Sequence, residues 1–291
     1  MKRMNMVERL VELIRETSSS LPEDVLKAIR SAMRREARGK SAAVVLKTIL
    51  DNCALAKKQS TPLCQDTGTL AFYVDESLKR KVTPAVIKKA VAIATERGYL
   101  RKNCIDSVTG RSYDDNCCDG APVVHYVEGK SKGERGKSAE VTLLLKGGGS
   151  ENMSRQYSLP DASLGAGRDL EGVRKCILDA VVKAQGFGCA PGILGVCIGG
   201  DRATAYEVAK EQLLRPLDAN EELRVKNEEL RKLEKRILKE ANELGIGPMG
   251  LGGKTTLLGV KIASRPRVPA SFFVTVAYMC WACRRRTMFV K

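Results

Sequence analysis

Three amphipathic helical segments in a row, then short apolar runs alternating with glycine-rich turns after Pro62, constrain this 291-residue chain more than any other feature. In residues 4–17 the apolar side chains recur at helical spacing among charges. Pro22-Glu23-Asp24 opens a second helix to about Arg38, because a proline followed by two acids suits a helix N-terminus. A third helix over 42–58 stops before Ser60-Thr61-Pro62. Later helices are expected over 83–98, opened by Thr83-Pro84 and closed by Gly98, and over 170–184, 203–214 and 219–244. The last carries Leu223, Leu230, Ile237 and Leu244 at seven-residue intervals and Gly245 as its stop, which suits one amphipathic helix docked on a core. Strands are expected in the apolar run after LCQDTGT, over 121–127 and 140–145, and in ILGVCI, LLGVKIA and SFFVTVAYMC. A polar connection, 131–138, separates the second and third of these. The pattern reads as one α+β domain over 1–291, with 1–59 as its helical N-terminal region.

Hydrophobic residues at 43% and charged residues at 29% are an ordinary soluble globular mix. No stretch approaches the ~20 uninterrupted apolar residues of a membrane span. The N-terminus alternates charge with apolar residues and lacks the continuous apolar core of an export signal, so the expected compartment is the cytoplasm, with no membrane association. The net charge of +16 is spread along the chain and interleaved with acids, and aromatics are only 4%. Stacking platforms for bases are therefore scarce, and attraction for an anionic substrate or subunit outweighs the alternative of a basic nucleic-acid-binding protein.

Ten cysteines are more than packing alone recruits, and a reducing compartment argues against a disulfide framework. There is no closely spaced ferredoxin-type run, no paired CxxC for zinc, and one histidine, His125. A thiolate-only site built from distant cysteines stays open. Three cysteines share a loop context: Cys64 in Pro-Leu-Cys-Gln-Asp-Thr-Gly, Cys189 among Gly186, Gly188, Pro191 and Gly192, and Cys280 at a strand end. Cys280-Trp281-Ala282-Cys283 has redox-dithiol spacing but no helix to lower a thiol pKa. Cys117 and Cys118 are too adjacent to chelate one iron easily. Cys53, Cys104, Cys176 and Cys197 read as small fillers on helix or strand faces.

Two glycine stretches invite a ligand reading. Gly250 to Thr256 ends like a phosphate-binding loop, but Pro248 holds the place of the required first glycine and a helix, not a strand, precedes it. Lys146-Gly147-Gly148-Gly149-Ser150 follows a strand, so its N–H groups could cradle a carboxylate; a tight turn would account for one glycine more readily than for three.

At these residues the chain resembles the class I fumarate hydratase and L(+)-tartrate dehydratase family, specifically the alpha subunit or N-terminal iron–sulfur domain. The resemblance is carried in order by PLCQDTGT, KGGGSENMS, GCAPGILGVCIGGD, LGIGPMGLGGKTTLLGVKI and PASFFVTVAYMCWACRR. It implies an α+β fold with mixed β-sheets surrounded by helices, and reversible hydration of fumarate to L-malate, with L(+)-tartrate or a related 2-hydroxy-dicarboxylate as the alternative. It also implies a [4Fe–4S] cluster on Cys64, Cys189 and Cys280, leaving one iron open to act as a Lewis acid. Asp66 is implied as the acid/base group, and Gln65, Arg101, Gly147, Gly148 and Gly149 as substrate contacts. Arg101 would pair with a carboxylate through its bidentate fork.

The chain departs from that pattern at Val268, where the family places a histidine, and at Cys283, where an aspartate is common. Either substrate preference differs, or Arg267 compensates, or fumarate is a poor substrate. The remaining carboxylate-binding and catalytic residues of the family lie in a second domain or a separately encoded beta subunit. The resemblance thus implies a hetero-oligomer whose alpha half is incomplete alone.

Overall fold

The computed structural model describes residues 4–128, 139–217 and 227–290. The connection 131–138 and Leu223 lie outside the described residues. Two compact units emerge, one from the described parts of Met1–Pro22, Asp51–Gly148 and Arg284–Lys291, the other from Glu23–Leu50 and Gly149–Cys283.

The first unit is built on a mixed sheet. Strand β1 (Thr69–Asp75) runs parallel to β4 (Val123–Val127) and antiparallel to β5 (Ala139–Lys146), which pairs antiparallel with β10 (Arg284–Val290). Leu70, Phe72 and Val74 of β1 and Leu143 and Leu145 of β5 alternate onto one face, as period-two patterning requires. That face is covered by α1 (Met6–Ser19) and α4 (Pro84–Glu96) through Leu10, Ile14, Ile87 and Val91. Helix α1 starts on a capping box, with Glu8 N donating to Asn5 Oδ1 at 3.0 Å and Asn5 N to Glu8 Oε2 at 3.3 Å. A small hairpin, β2 (Cys104–Ile105) and β3 (Ser112–Tyr113), extends from this unit.

The sequence pattern assigns no strand to Arg284–Val290, because three successive arginines hide any alternation. The strand forms through its register with β5, and the Arg286 charge finds partners: it reaches Glu16 at 3.2 Å and Ser20 Oγ at 2.9 Å on the α1 side. Arg284 is buried, its Nε and Nη1 without hydrogen-bond partners among the described residues.

The second unit carries a sheet in the order β6 (Arg155–Ser158), β9 (Phe273–Met279), β7 (Gly192–Gly199), β8 (Leu257–Arg265). Strand β7 is buried along its whole length, parallel to β8 and antiparallel to β9. Helices α6 (Leu170–Ala184), α7 (Arg202–Gln212) and α8 (Glu228–Glu243) pack on it, with α2 (Glu23–Arg35) beside β8. Helix α8 buries Leu230, Leu233, Ile237 and Ala241, a single amphipathic stripe, and leaves Leu244 exposed just past its end. Its Glu234 is buried, yet it accepts from Ile262 N of β8 at 2.6 Å and pairs with Arg215 at 3.1 Å. Truncating fully buried Ile237 to Ala would cost about 2–5 kcal/mol. The two mixed sheets with surrounding helices are the α+β fold expected. Among the described residues, no helix is long and apolar enough to cross a membrane.

Candidate active site

In the first unit the loop after α3 (Ser41–Gln59) is fixed before it reaches Cys64 and Asp66. Leu63 is buried, its N–H donates to Ser18 O at 2.9 Å, and its carbonyl accepts from Asn52 Nδ2 at 2.9 Å. Cys64 follows, half-buried, then exposed Gln65 and half-buried Asp66. Thr67 is buried and its Oγ1 accepts from Arg101 N at 3.3 Å and Asn103 Nδ2 at 3.0 Å. Gly68 closes the loop at φ +79°, and a Cβ there would lie 2.6 Å from the Lys146 carbonyl, so only glycine lets β1 meet β5 this early.

The glycines after β5 have a different reason. None of Gly147, Gly148 and Gly149 adopts a positive φ. A Cβ on Gly147 would meet Asp66 Oδ2 at 2.8 Å, one on Gly148 would meet it at 3.8 Å, and one on Gly149 would touch nothing. The turn is thin where the aspartate lies, and it continues as a single helical turn, α5 (Gly148–Asn152).

Arg101 is set by a hub that sequence reasoning missed. Asn116, buried with φ +59°, accepts from Asn103 N at 2.8 Å and Cys104 N at 3.0 Å. Its Nδ2 donates to Arg101 O at 2.7 Å and Thr95 Oγ1 at 2.9 Å. The guanidinium itself places Nη1 on Gln65 O at 3.4 Å. Gln65, Asp66, Arg101, Asn103, Asn116 and Gly148 thereby line one cavity of about 570 Å³. The only hint of the hub in the sequence is that asparagine tolerates the left-handed region.

In the second unit, α6 ends at Ala184 and the chain turns tightly through Gly186-Phe187-Gly188. Cys189 N donates to Gly186 O at 3.0 Å, and Cys189 itself is exposed at φ +49°. Cβ atoms on Gly188 and Gly192 would fall 2.4 and 2.5 Å from the Tyr278 ring and hydroxyl, so the cysteine loop wraps an aromatic spacer. Two residues past that tyrosine comes half-buried Cys280, and Trp281 N reaches Cys189 O at 3.3 Å. Burial chiefly, and then the negative potential of Cys280 and Cys189, push the Tyr278 hydroxyl above its ordinary pKa and keep it neutral.

The loop 247–256 is a buttress for this turn. Met249 N donates to Ala190 O at 2.9 Å, and a Cβ on Gly186 would meet Met249 O at 2.6 Å. Lys254 N is taken by both carboxylate oxygens of buried Glu36, at 2.9 and 3.1 Å, while Thr255 and Thr256 are buried. The amides that a phosphate would need serve the protein itself.

The other cysteines divide. Cys53, Cys176 and Cys197 are buried, and burial pushes Cys176 up to about 12 and Cys197 up to about 11, which suits inert filling. Cys283 is buried, with its Sγ donating to Leu213 O at 3.9 Å. Cys104 departs from the filler reading: it is half-buried and faces Cys118. Among the described residues, no group of three or more His, Cys, Asp or Glu side chains could hold a metal ion. A cubane's thiolates each bind a different iron and do not converge on one point. Loop-borne, solvent-reachable Cys64, Cys189 and Cys280 fit that kind of donor set better than the buried thiols do.

At the departure from the family pattern, Val268 is 66% exposed. Arg267 braces its own loop. Its Nη1 donates to the carbonyls of Val268, Pro269 and Ser271 at 3.3, 3.0 and 3.1 Å, and its guanidinium lies 4.4 Å over the Phe272 ring. Arg168 clamps the same loop through Pro269 O and Ala270 O.

The sequence that builds this α+β frame matches a known family. The chain belongs to the fumarate hydratase (Fumerase) family, whose model matches residues 7–289. It is 50% identical over 283 residues to a Geobacillus stearothermophilus protein assigned as a class I fumarate hydratase, covering 96% of this chain and 53% of that one. It is 33% identical over 294 residues to a Methanocaldococcus jannaschii protein assigned as an L(+)-tartrate dehydratase alpha subunit, covering 99% and 98%. To the L(+)-tartrate dehydratase alpha subunit of Escherichia coli O157:H7 it is 29% identical over 291 residues, covering 98% and 91%. The chain thus spans about half the length of the fumarate hydratase that it matches.

Proposed function

We propose that this chain is the cluster-binding, proton-transferring half of an iron–sulfur hydro-lyase that hydrates fumarate to L-malate and runs the reverse dehydration. The observation that carries the reading is the single cavity lined by Gln65, Asp66, Arg101 and Gly148. These residues come from three separate segments, and each stands at a position that resembles the family's substrate or acid/base positions.

Cys64, Cys189 and Cys280 would hold a [4Fe–4S] cluster, whose iron without a protein ligand supplies Lewis-acid help to a poor hydroxide leaving group. Asp66 takes the C3 proton in dehydration and returns it in hydration. Arg101 holds one substrate carboxylate through the nitrogens its Gln65 contact leaves available. The thin Gly147–Gly149 turn lets the substrate approach the backbone beside Asp66. The second carboxylate is held by a beta-type partner, a proposal supported by relatives that are named alpha subunits. The reading keeps 1–291 as one catalytic alpha-type domain. It also puts the protein in the cytoplasm, a compartment whose reducing poise suits thiolate ligands.

A second substrate reading, L(+)-tartrate, is favoured by Val268, which removes a proton-exchanging side chain from the loop that Arg168 and Arg267 clamp. One experiment tests both. The chain is reconstituted anaerobically with iron and sulfide and assayed on fumarate, malate and tartrate, with and without the beta-type half. Brown protein that turns over only when both halves are present is the expected result. Absence of a cluster, or full turnover by the isolated 291-residue chain, overturns the reading.

A further inference from the structure

The first unit holds a pair of thiols that the proposed reaction does not use. Cys104 opens the β2–β3 hairpin, and its Sγ lies 3.2 Å from Sγ of Cys118. Both are half-buried and free. Backbone bonds hold each in place. Cys104 N donates to Asn116 Oδ1 at 3.0 Å, Cys118 N to Ala121 O at 3.1 Å, and Lys88 Nζ to Cys118 O at 3.0 Å. Neighbouring Cys117 turns away, its Sγ resting on Lys88 O and Asp115 O, each at 3.4 Å. Among the described residues no third ligand completes a metal site here. The geometry is that of a dithiol set for covalent closure.

We propose that Cys104 and Cys118 form a reversible oxidation site that closes to a disulfide by exchange with a small disulfide of the glutathione type. The Cys118 thiolate attacks one sulfur of the small disulfide, whose S–S bond breaks and releases one thiolate, which is protonated. Cys104 then gives its proton to solvent, and its sulfur attacks the Cys118 sulfur of the mixed disulfide and expels the second thiol. Two protein thiols are oxidised and one small disulfide is reduced to two thiols. The order of attack follows from the pair's environment. Burial first, and the hydrogen bond with Cys118 second, push the Cys104 thiol up to about 11, which makes Cys104 the later, resolving sulfur.

Closure acts on the proposed substrate arginine. The sulfurs must approach from 3.2 Å to about 2.05 Å, drawing the Cys118 segment toward β2. Asn116, which holds the Arg101 carbonyl at 2.7 Å, lies inside the loop so closed, and Cys104 lines the same cavity as Arg101.

The test is equilibration of anaerobically purified full-length chain with glutathione and glutathione disulfide, then alkylation, proteolysis and mass spectrometry. The expected product is a peptide pair joined through Cys104 and Cys118, lighter by two hydrogens than the reduced pair and restored by dithiothreitol. It should form equally in Cys117→Ser. In Cys104→Ser the link should be lost, leaving a glutathione adduct on Cys118. Full alkylation of both thiols in the unsubstituted chain, a link through Cys117, or an adduct that never closes would each overturn the proposal. Because the readout is a mass and not turnover, failure of the hydro-lyase reading would leave this result intact.

Discussion

Asp66 Oδ2 stands 2.8 Å from the point where residue 147 would carry a Cβ, so the loop after Cys64 and the turn after β5 share a space that only glycine leaves open. Gly147→Ala should push the carboxylate aside without unfolding the sheet. A misplacement of that size is expected to lower turnover by ~10²-fold. Cluster absorbance and far-ultraviolet circular dichroism should be retained. The check is kcat of the assembled enzyme beside both spectra.

Asp66→Asn removes the proposed proton carrier and keeps its shape. Turnover should fall by ~10²–10⁴-fold with cluster absorbance intact. If Gly147→Ala acts through Asp66, the double variant should lose little more than Asp66→Asn alone. Additive losses would separate the two residues.

Single Ser replacements of Cys64, Cys189 or Cys280 should abolish the cluster, read as iron and sulfide content after anaerobic reconstitution. Cys53→Ser and Cys176→Ser should keep it, since those thiols are buried away from the loops. Full cluster content in Cys189→Ser would remove that residue from the ligand set.

Asn116→Ala strips partners from Arg101 O, Thr95 Oγ1, Asn103 N and Cys104 N. Leaving such buried groups unpaired costs about 1–3 kcal/mol, to be read as a lowered thermal midpoint. Because the hub positions Arg101, KM for the dicarboxylate should rise more than kcat falls.

Much of this was legible in the residues. Helix starts at Pro22-Glu23-Asp24 and Thr83-Pro84 announce themselves through fixed φ and first-turn chemistry, and an apolar run such as ILGVCI between glycine turns reads as a buried strand. The α+β class followed from those elements. What stayed hidden depends on partners far away in the chain. Arg284–Val290 becomes a strand through its register with β5, and Glu16 and Ser20 receive Arg286, which no local pattern encodes. Three glycines after Lys146 read as a backbone cradle for a carboxylate, with a tight turn as the lesser reading; none takes a positive φ, and at Gly147 glycine is required by the nearness of Asp66. Thr67 and Asn103 carried no signal and Asn116 only asparagine's tolerance of the left-handed region, since polar residues in loops look alike until their hydrogen bonds are drawn.

Glu36 lies just past α2, and both of its carboxylate oxygens accept from Lys254 N. Lys254 belongs to the same glycine loop whose Met249 N holds Ala190 O, one residue from Cys189. The segment that ends α2 therefore helps to hold a turn encoded much later in the chain. Cutting the chain beyond Glu36 would remove the acceptor of that amide without touching Cys189 itself. Shortened versions meant for engineering should keep Glu36, or supply another acceptor for that amide.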